Sequence, residues 1–308
     1  MKVIFMGTPD FSVPTLEALI ESSHEVIGVI TQPDKPKGRG KKMVVPPVKE
    51  MAIKHGIPVY QPLKVRDKTF IEFVRSLNPD VAVVIAFGQI LSLELLEVPK
   101  FGCINVHASL LPKYRGAGPI QWSVINGESE TGITTMHMDV GIDTGDMIFK
   151  DIVKIEAKET GGSLHDKLST LGANTLLKTL EALENGSAPR ERQVDEESTY
   201  APMLSKELGL IDWSKDAVEI ERLIRGLNPW PSAYSYLDGK MVKIWDGDVI
   251  SSNNKSIGEV IHIDKSSIIV QTGKDALAIK ELQLEGKKRM TTEEFLRGYK
   301  VDLGVKLG

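Results

Sequence analysis

Short apolar runs alternate with segments of helical period through the first half of the chain. Residues 3–7 read as a strand, 16–20 as the core side of a helix, 26–31 as a second strand, 48–55 as a second helix, and Val59 opens another strand. A further helix is expected across 70–77. It leads into DVAVVIAF, residues 80–87, apolar on both faces as an interior parallel strand should be. Strand and helix in this succession build a mostly parallel sheet with helices on both sides, a doubly wound α/β fold.

After a long helix expected over 164–183 the text turns polar, charged and Pro-punctuated in NGSAPRERQVDEESTYAP, which reads as an interdomain connection. Beyond it one helix, 217–227, precedes strand-like pieces at 233–237, 242–245, 258–263, 267–271 and 277–284. Turn signals such as Asp238-Gly239, Asp246-Gly247 and Thr272-Gly273 separate them. About five short strands at this spacing suggest a small OB-like β-barrel. The expected organisation is a first domain over 1–189, a linker over 190–206 and a second domain over 207–308.

Composition narrows the class. A chain of 308 residues with 41% hydrophobic and 26% charged positions is ordinary globular material, long enough for two domains. A net charge of −4 argues against a general nucleic-acid coat but leaves room for a local basic patch. Cys103 is the single cysteine, which excludes an internal disulfide and a Cys-cluster zinc site and fits a reducing compartment. No metal is expected. MKVIFMGTPDF passes straight into a short strand, too brief for a signal-peptide core, and no apolar segment approaches the roughly 18 residues of a spanning helix. A cytoplasmic protein is expected.

Ligands bind outside the carboxyl ends of strands in an open parallel sheet. CINVHAS, residues 103–109, is therefore a strand whose end should face a cleft. Asn105 and His107 are two apart and project to one face with Cys103 and Ser109, while Ile104, Val106 and Ala108 point the other way. Asn offers an amide N–H to an oxygen that gains negative charge, and His exchanges a proton near neutral pH. Neither is a strong nucleophile here, so the pair suits acyl transfer to an amine that the substrate brings. Spacing alone leaves a structural histidine open, since parity and strand ends also occur in non-catalytic sheets. MDVGIDTGDM adds Asp139, Asp143 and Asp146 in a Gly-broken loop that can turn a carboxylate toward a neighbouring strand end. An Asp beside a His fixes its tautomer and stabilises the imidazolium. As simple turn formers the three need no such role.

INVHASLLPKYRGAGPI, followed by ETGITTMHMDVGIDTGDM, resembles the signature region of the folate-dependent formyltransferases, which move a formyl group from 10-formyltetrahydrofolate to an amine. FMGTPDFSVPTLEAL, TQPDKPKGRGKK and IDWSKDAVEIERLIRGLNPWPSAY extend the resemblance over both domains, toward the members that formylate the α-amino group of initiator methionyl-tRNA. The resemblance implies a Rossmann-like catalytic domain and a C-terminal tRNA-binding barrel, with the folate as cosubstrate and translation initiation as the setting. It places the catalytic roles on Asn105, His107 and Asp143. Folate contact falls on Ser109, Leu110, Leu111 and Pro112, and on Asp139, Val140, Gly141 and Ile142. A monomer without membrane partners is expected.

DKPKGRGKK puts Lys35, Lys37, Arg39, Lys41 and Lys42 in one loop that Pro36 and two glycines keep from becoming a helix. A charge run is often only a solvated face. This one follows the second strand at the edge of the proposed cleft, where concentrated positive charge can grip phosphates, and the resemblance implies that it enters the tRNA acceptor arm, with Arg39 the leading residue. Lys287, Lys288 and Arg289 form a second basic cluster on the barrel. Trp213, Trp230 and Trp245 read as packing residues, Cys103 as a small core residue and His137 as structural. MGTPDF lacks the G-x-G-x-x-G spacing of a dinucleotide site, and the resemblance implies that Phe11 there lines the aminoacyl pocket. Three other readings stay open: a sister formyltransferase for a sugar nucleotide or purine precursor, a non-catalytic RNA-binding protein, and a dehydrogenase weakened by the absent glycine fingerprint.

Overall fold

The computed structural model describes residues 1–37, 42–253 and 256–308. The chain forms two compact units, one of Met1–Gly116, Thr131–Val153 and His165–Tyr200, the other of Ala117–Glu130, Lys154–Leu164 and Ala201–Gly308. The division is not a single cut, because two short stretches that precede residue 189 cluster with the second unit.

The sheet of the first unit contains β1 (Lys2–Gly7), β2 (Glu25–Ile30), β5 (Val59–Tyr60), β6 (Val81–Ile85), β7 (Cys103–His107), β9 (Glu130–His137) and β10 (Met147–Lys154). Their order is β10-β9-β7-β6-β1-β2-β5. The β1–β2, β1–β6, β2–β5 and β6–β7 pairs are parallel. Order reverses between β1 and β6, the switch point where such sheets open a crevice. There Thr8 Oγ1 donates to the Phe87 carbonyl at 3.1 Å and Ser12 Oγ to the Ile85 carbonyl at 2.8 Å, tying the two strand-end loops together.

The sheet carries α1 (Val13–Glu21), α2 (Pro47–Lys54), α3 (Lys68–Ser76), α4 (Leu93–Leu96) and α6 (Gly161–Glu184). In α3, Asp67 caps the start by accepting from the Thr69 N–H, Ile71 and Val74 turn inward, and Asn78 at φ +48° ends the helix before Pro79. Those residues join Ile4, Met6, Ala82, Val84, Leu95 and Cys103 in one core on one face of the sheet. On the other face a Cβ added to Gly172 of α6 would meet Val106 and Ile133. Burial on both faces explains the unbroken apolar runs of β1 and β6, all buried from Val3 to Met6 and from Val81 to Ile85.

One strand departs from the expected parallel arrangement: β9 runs antiparallel to β7, pairing Ile104 with His137 and His107 with Thr134. It turns back into β10, with His137 N–H to the Asp146 carbonyl and Ile155 N–H to the Ser129 carbonyl marking the hairpin. Smaller ladders join β3 (Lys35–Lys37) to β4 (Lys42–Val44), and β8 (Arg115–Gly116) to β11 (Tyr200–Ala201).

The second unit holds α5 (Pro119–Ile125), α7 (Ala217–Gly226), α8 (Thr292–Gly298) and an antiparallel sheet of β12 (Ala233–Leu237), β13 (Lys240–Ile250), β14 (Val260–Ile263), β15 (Ile268–Gln271), β16 (Ala276–Leu284) and β17 (Met290–Thr291). The path is β12-β13-β16-β15-β14, with β17 added to β16. Alternate residues Val242, Ile244, Val270, Ile279, Leu282 and Leu284 enter one core with Trp213, Ile220 and Ile224. This is the small C-terminal β unit that the turn spacing predicts. Trp213 packs as expected and donates its indole N–H to Ser235 Oγ at 3.0 Å. Trp230 does not: it is 55% exposed. Prolines on both sides deny it a place in a helix or ladder that would carry it into the core.

Candidate active site

Asn105 and His107 lie on the face of β7 that Cys103 shares, but where they sit the cover is loop rather than helix. Both are buried. The loop that carries Asp143 leaves β9 beside the amino end of β7, since Met138 N–H bonds to the Cys103 carbonyl. It therefore folds back along the sheet face to reach them. The carboxylate arrives from the opposite edge to the one that strand-end reasoning suggests, because β9 is reversed.

The three side chains meet. Asn105 Nδ2 donates to Asp143 Oδ1 at 3.2 Å, and Asp143 Oδ2 lies 3.6 Å from His107 Nδ1. Asp143 Oδ2 also accepts the Gly116 N–H at 2.8 Å. His107 Nε2 lies 2.9 Å from the Tyr114 carbonyl oxygen, and since a carbonyl only accepts, Nε2 carries a proton. Nδ1 is left facing the carboxylate. One hydrogen of the Asn105 amide is engaged by Asp143, and the amide carries a second.

The backbone around this trio is unusual. Ala86, Tyr114 and Asp143 have φ of +46°, +60° and +53°, in the left-handed region that non-glycine residues seldom occupy. Such conformations persist where the surroundings hold them, and they cluster at functional sites. At Gly116, φ is +112°, which lets its N–H point at Asp143 without a side chain in the way. A Cβ on Gly145 would overlap the His137 carbonyl, so the loop can close only around glycine there.

Residues outside the sequence-derived set hold the loop. Gln193, 5% exposed, donates Nε2 hydrogens to the carbonyls of Asp143 and Gly145, both at 2.8 Å, and its Oε1 accepts from Arg115 Nε at 2.9 Å. Thr134 accepts the Leu111 N–H at 3.1 Å and donates to the Ser109 carbonyl at 2.7 Å, shaping the Ser-Leu-Leu-Pro turn. Gln193 sits in a polar stretch whose composition says only connection, so no periodicity could have marked it.

The folate-contact positions separate into two kinds. Ser109 and Leu111 are buried, the first donating to the Lys113 carbonyl at 2.6 Å and the second packing with Met136 and Met147. Leu110 and Pro112 are half-buried. Asp139 accepts from Gly141 N–H at 3.0 Å and Thr144 Oγ1 at 2.6 Å, a turn-forming role. Val140 is 70% and Ile142 58% exposed, which leaves apolar surface on the loop that carries Asp143. Phe11 is buried against His165 at 5.2 Å between ring centroids, rather than open to a ligand.

Burial pushes the Cys103 thiol up to about 12, so it is an inert core group, as its place in the strand predicts. His137 is held below its ordinary value by burial first and by Arg190 second, with Asp146 opposing. Among the described residues no cluster of three His, Cys, Asp or Glu offers a metal site.

Of the basic loop, Lys35 lies on β3, Lys37 and Lys42 end the β3–β4 ladder, and Arg39 and Lys41 lie outside the described residues. The base of the hairpin is anchored. Lys49 Nζ donates to Asp34 at 2.8 and 2.9 Å and to Gln61 Oε1 at 2.7 Å, and Gln61 Nε2 returns to the Gln32 carbonyl at 2.8 Å. The Lys49 hydrogen bond, then that of Gln61, holds the Asp34 carboxyl below its usual range. In the second unit Arg289 lies 4.7 Å and Lys243 5.6 Å from the Trp245 ring centroid, so Trp245 packs under cations rather than inside the core.

Residues 1–180 match the formyl transferase family and residues 203–300 the formyl transferase C-terminal domain. The chain is 60% identical over 305 residues to the methionyl-tRNA formyltransferase of Agathobacter rectalis, covering 99% of this chain and 98% of that protein. It is 55% identical over 309 residues to that of Clostridioides difficile, covering 100% of both. Among solved structures it is similar in fold to WlaRD, a sugar 3N-formyl transferase crystallised with dTDP and 5-N-formyl-THF, with TM-score 0.67, 21% identity and coverage of 94% and 99%. HypX from Aquifex aeolicus in complex with tetrahydrofolic acid aligns with TM-score 0.62 and 17% identity over 99% of this chain and 50% of that one. Matched along both units and over its whole length, this chain belongs to the formyltransferase family.

Proposed function

We infer that this protein transfers the formyl group of 10-formyltetrahydrofolate to the α-amino group of methionyl-tRNA, giving formylmethionyl-tRNA for translation initiation. The full-length identity to proteins of that name carries the reading. The meeting of Asn105, His107 and Asp143 supplies chemistry that suits it.

In the mechanism that follows, the neutral amine attacks the formyl carbon, a C–N bond forms and the carbonyl oxygen becomes an oxyanion. The second N–H of Asn105 donates to that oxygen, preorganised because Asp143 holds the other amide hydrogen. Collapse breaks the bond to N10 of the folate, and the proton lost by the amine goes to N10. The Asp143 carboxylate takes the amine's proton and passes it to N10, while His107 faces that carboxylate through Nδ1 and brings Nε2–H to the oxyanion by exchanging its bond to the Tyr114 carbonyl. Val140 and Ile142, both exposed, are assigned to contact with the pterin ring.

The first unit is assigned catalysis and the second, after a connector within 190–206, contact with tRNA. Lys35, Lys37, Arg39, Lys41 and Lys42 are assigned to the acceptor arm, and Lys243 and Arg289 beside Trp245 to a second backbone contact. No helix among the described residues is long and apolar enough to cross a membrane, and the substrate places the enzyme in the cytoplasm.

Formyl transfer from the folate to charged initiator tRNA, read as released formylmethionine, tests the reading. An amino-sugar nucleotide and uncharged tRNA serve as comparison acceptors. Formylation of the sugar alone, or tRNA binding without formyl transfer, would overturn it.

A further inference from the structure

We propose that residues 190–200 are a brace for the catalytic trio, in which Gln193 and Thr199 are positioning residues. The argument rests on the function proposed above. All of these residues belong to the same compact unit as the trio.

The brace touches the site at two independent points. At the first, Gln193 spends both amide hydrogens on the carbonyls of Asp143 and Gly145, at 2.8 Å each. A reversed amide would set its oxygen against two carbonyl oxygens, so these partners dictate its orientation. Asp143 is held in a left-handed conformation, which needs such external support. At the second point, Thr199 Oγ1 accepts the Tyr114 N–H at 2.8 Å and the Thr199 carbonyl accepts the Arg115 N–H at 2.9 Å. Tyr114, also left-handed, presents the carbonyl that receives His107 Nε2–H. Arg115 closes the circuit by donating to Gln193 Oε1 at 2.9 Å and to Asp195 Oδ1 at 2.8 Å. Ion pairing of Arg190 with Asp146 at 3.1 Å and paired hydrogen bonds between Glu191 and Met147 fix the start of the segment. The carboxylate and the imidazole are thus both registered against one stretch of chain that contributes no group to the reaction.

Gln193→Glu keeps the shape and the acceptor for Arg115 but removes both donors to the loop. Thr199→Val removes the hydroxyl, and Thr199→Ser keeps it. With methionyl-tRNA and 10-formyltetrahydrofolate, Gln193→Glu should lower kcat on the order of 100-fold, the cost of a catalytic group displaced by about 1 Å. KM for both substrates should change less than kcat, since Gln193 itself touches neither of them. Thr199→Val should lower kcat by about 10-fold and Thr199→Ser should restore it. The imidazole 15N resonances of His107 should move in Gln193→Glu and Thr199→Val and return in Thr199→Ser. Wild-type kcat in Gln193→Glu, or a loss of kcat in Thr199→Ser as deep as in Thr199→Val, overturns the brace. If Gln193→Glu does not fold, the Thr199 pair decides alone. If the wild type transfers no formyl group to methionyl-tRNA, the functional reading fails separately, and unchanged His107 resonances in the variants would still overturn the brace.

Discussion

Replacing Asp143 by Asn keeps the volume of the site and changes its pattern of donors. Oδ1 accepts from Asn105 at 3.2 Å, while Oδ2 accepts from Gly116 at 2.8 Å and faces His107 Nδ1 at 3.6 Å. In either orientation the new amide nitrogen meets a donor, the Asn105 amide or the Gly116 N–H. One hydrogen bond to a charged acceptor is lost, about 1.5–3 kcal/mol. Expressed fully in the transition state, that slows turnover roughly 10- to 200-fold. The missing charge adds to this when His107 is cationic, because opposite charges at 3.6 Å attract by about 4–5 kcal/mol at an effective dielectric near 20. The two side chains are 7% and 16% exposed, so water screens only part of it. Asp143→Asn should therefore lower kcat by about 100- to 10,000-fold, the range of lost acid–base assistance. Saturating formylation of methionyl-tRNA measures it, with a melting curve in parallel, and Tm should fall by less than about 10 °C. Turnover within about tenfold of wild type at unchanged Tm would refute the role of the carboxylate.

The Cys103 thiol, raised to about 12 in the folded chain, ionises first in the unfolded one; stability should fall from the ordinary thiol pKa near 8.5 up to about 12. Denaturant titrations of wild type and Cys103→Ala across that range should differ in slope by about 1.4 kcal/mol per pH unit, and parallel curves would exclude it. His137 is held low, so the unfolded state takes its proton first and this group costs stability as pH drops below about 6.5. Arg190→Ala removes one cause, so the His137 titration followed by NMR should move upward; a downward move would contradict the assignment. Neutralising one lysine of the basic loop, Lys35→Ala, should reduce the salt slope of tRNA binding by about 0.7–1 while leaving kcat at saturating tRNA unchanged, and an unaltered slope would remove Lys35 from the interface.

Much of this was legible in the text of the chain. Continuous apolar runs in β1 and β6 announce burial on both faces, and the two-residue spacing of Asn105 and His107 announces a shared face. What it could not carry is strand direction. Nothing in ETGITTMH distinguishes a parallel from an antiparallel strand, so the approach of the Asp143 loop from the amino edge was invisible. Gln193 escaped for a different reason: hydrogen bonding to backbone carbonyls asks for a side-chain amide at one place in space, with no periodic signature along the chain. Trp230 misled because aromatic identity argues for burial, whereas its flanking prolines decided the outcome.

The reversal of β9 has an outcome for how this enzyme's donor side can vary. In a doubly wound sheet, ligand loops are usually crossovers, each tethered to a helix, and resizing one disturbs layer packing. Here the carboxylate rides on the tip of an edge hairpin, closed by the His137 and Asp146 pair. The stretch ahead of Asp143 can change length while the five parallel strands and their helices keep their places, whereas Asp143 and Gly145 stay held by Gln193. The chemical group stays tied down, and the apolar rim formed by Val140 and Ile142 becomes the adjustable part.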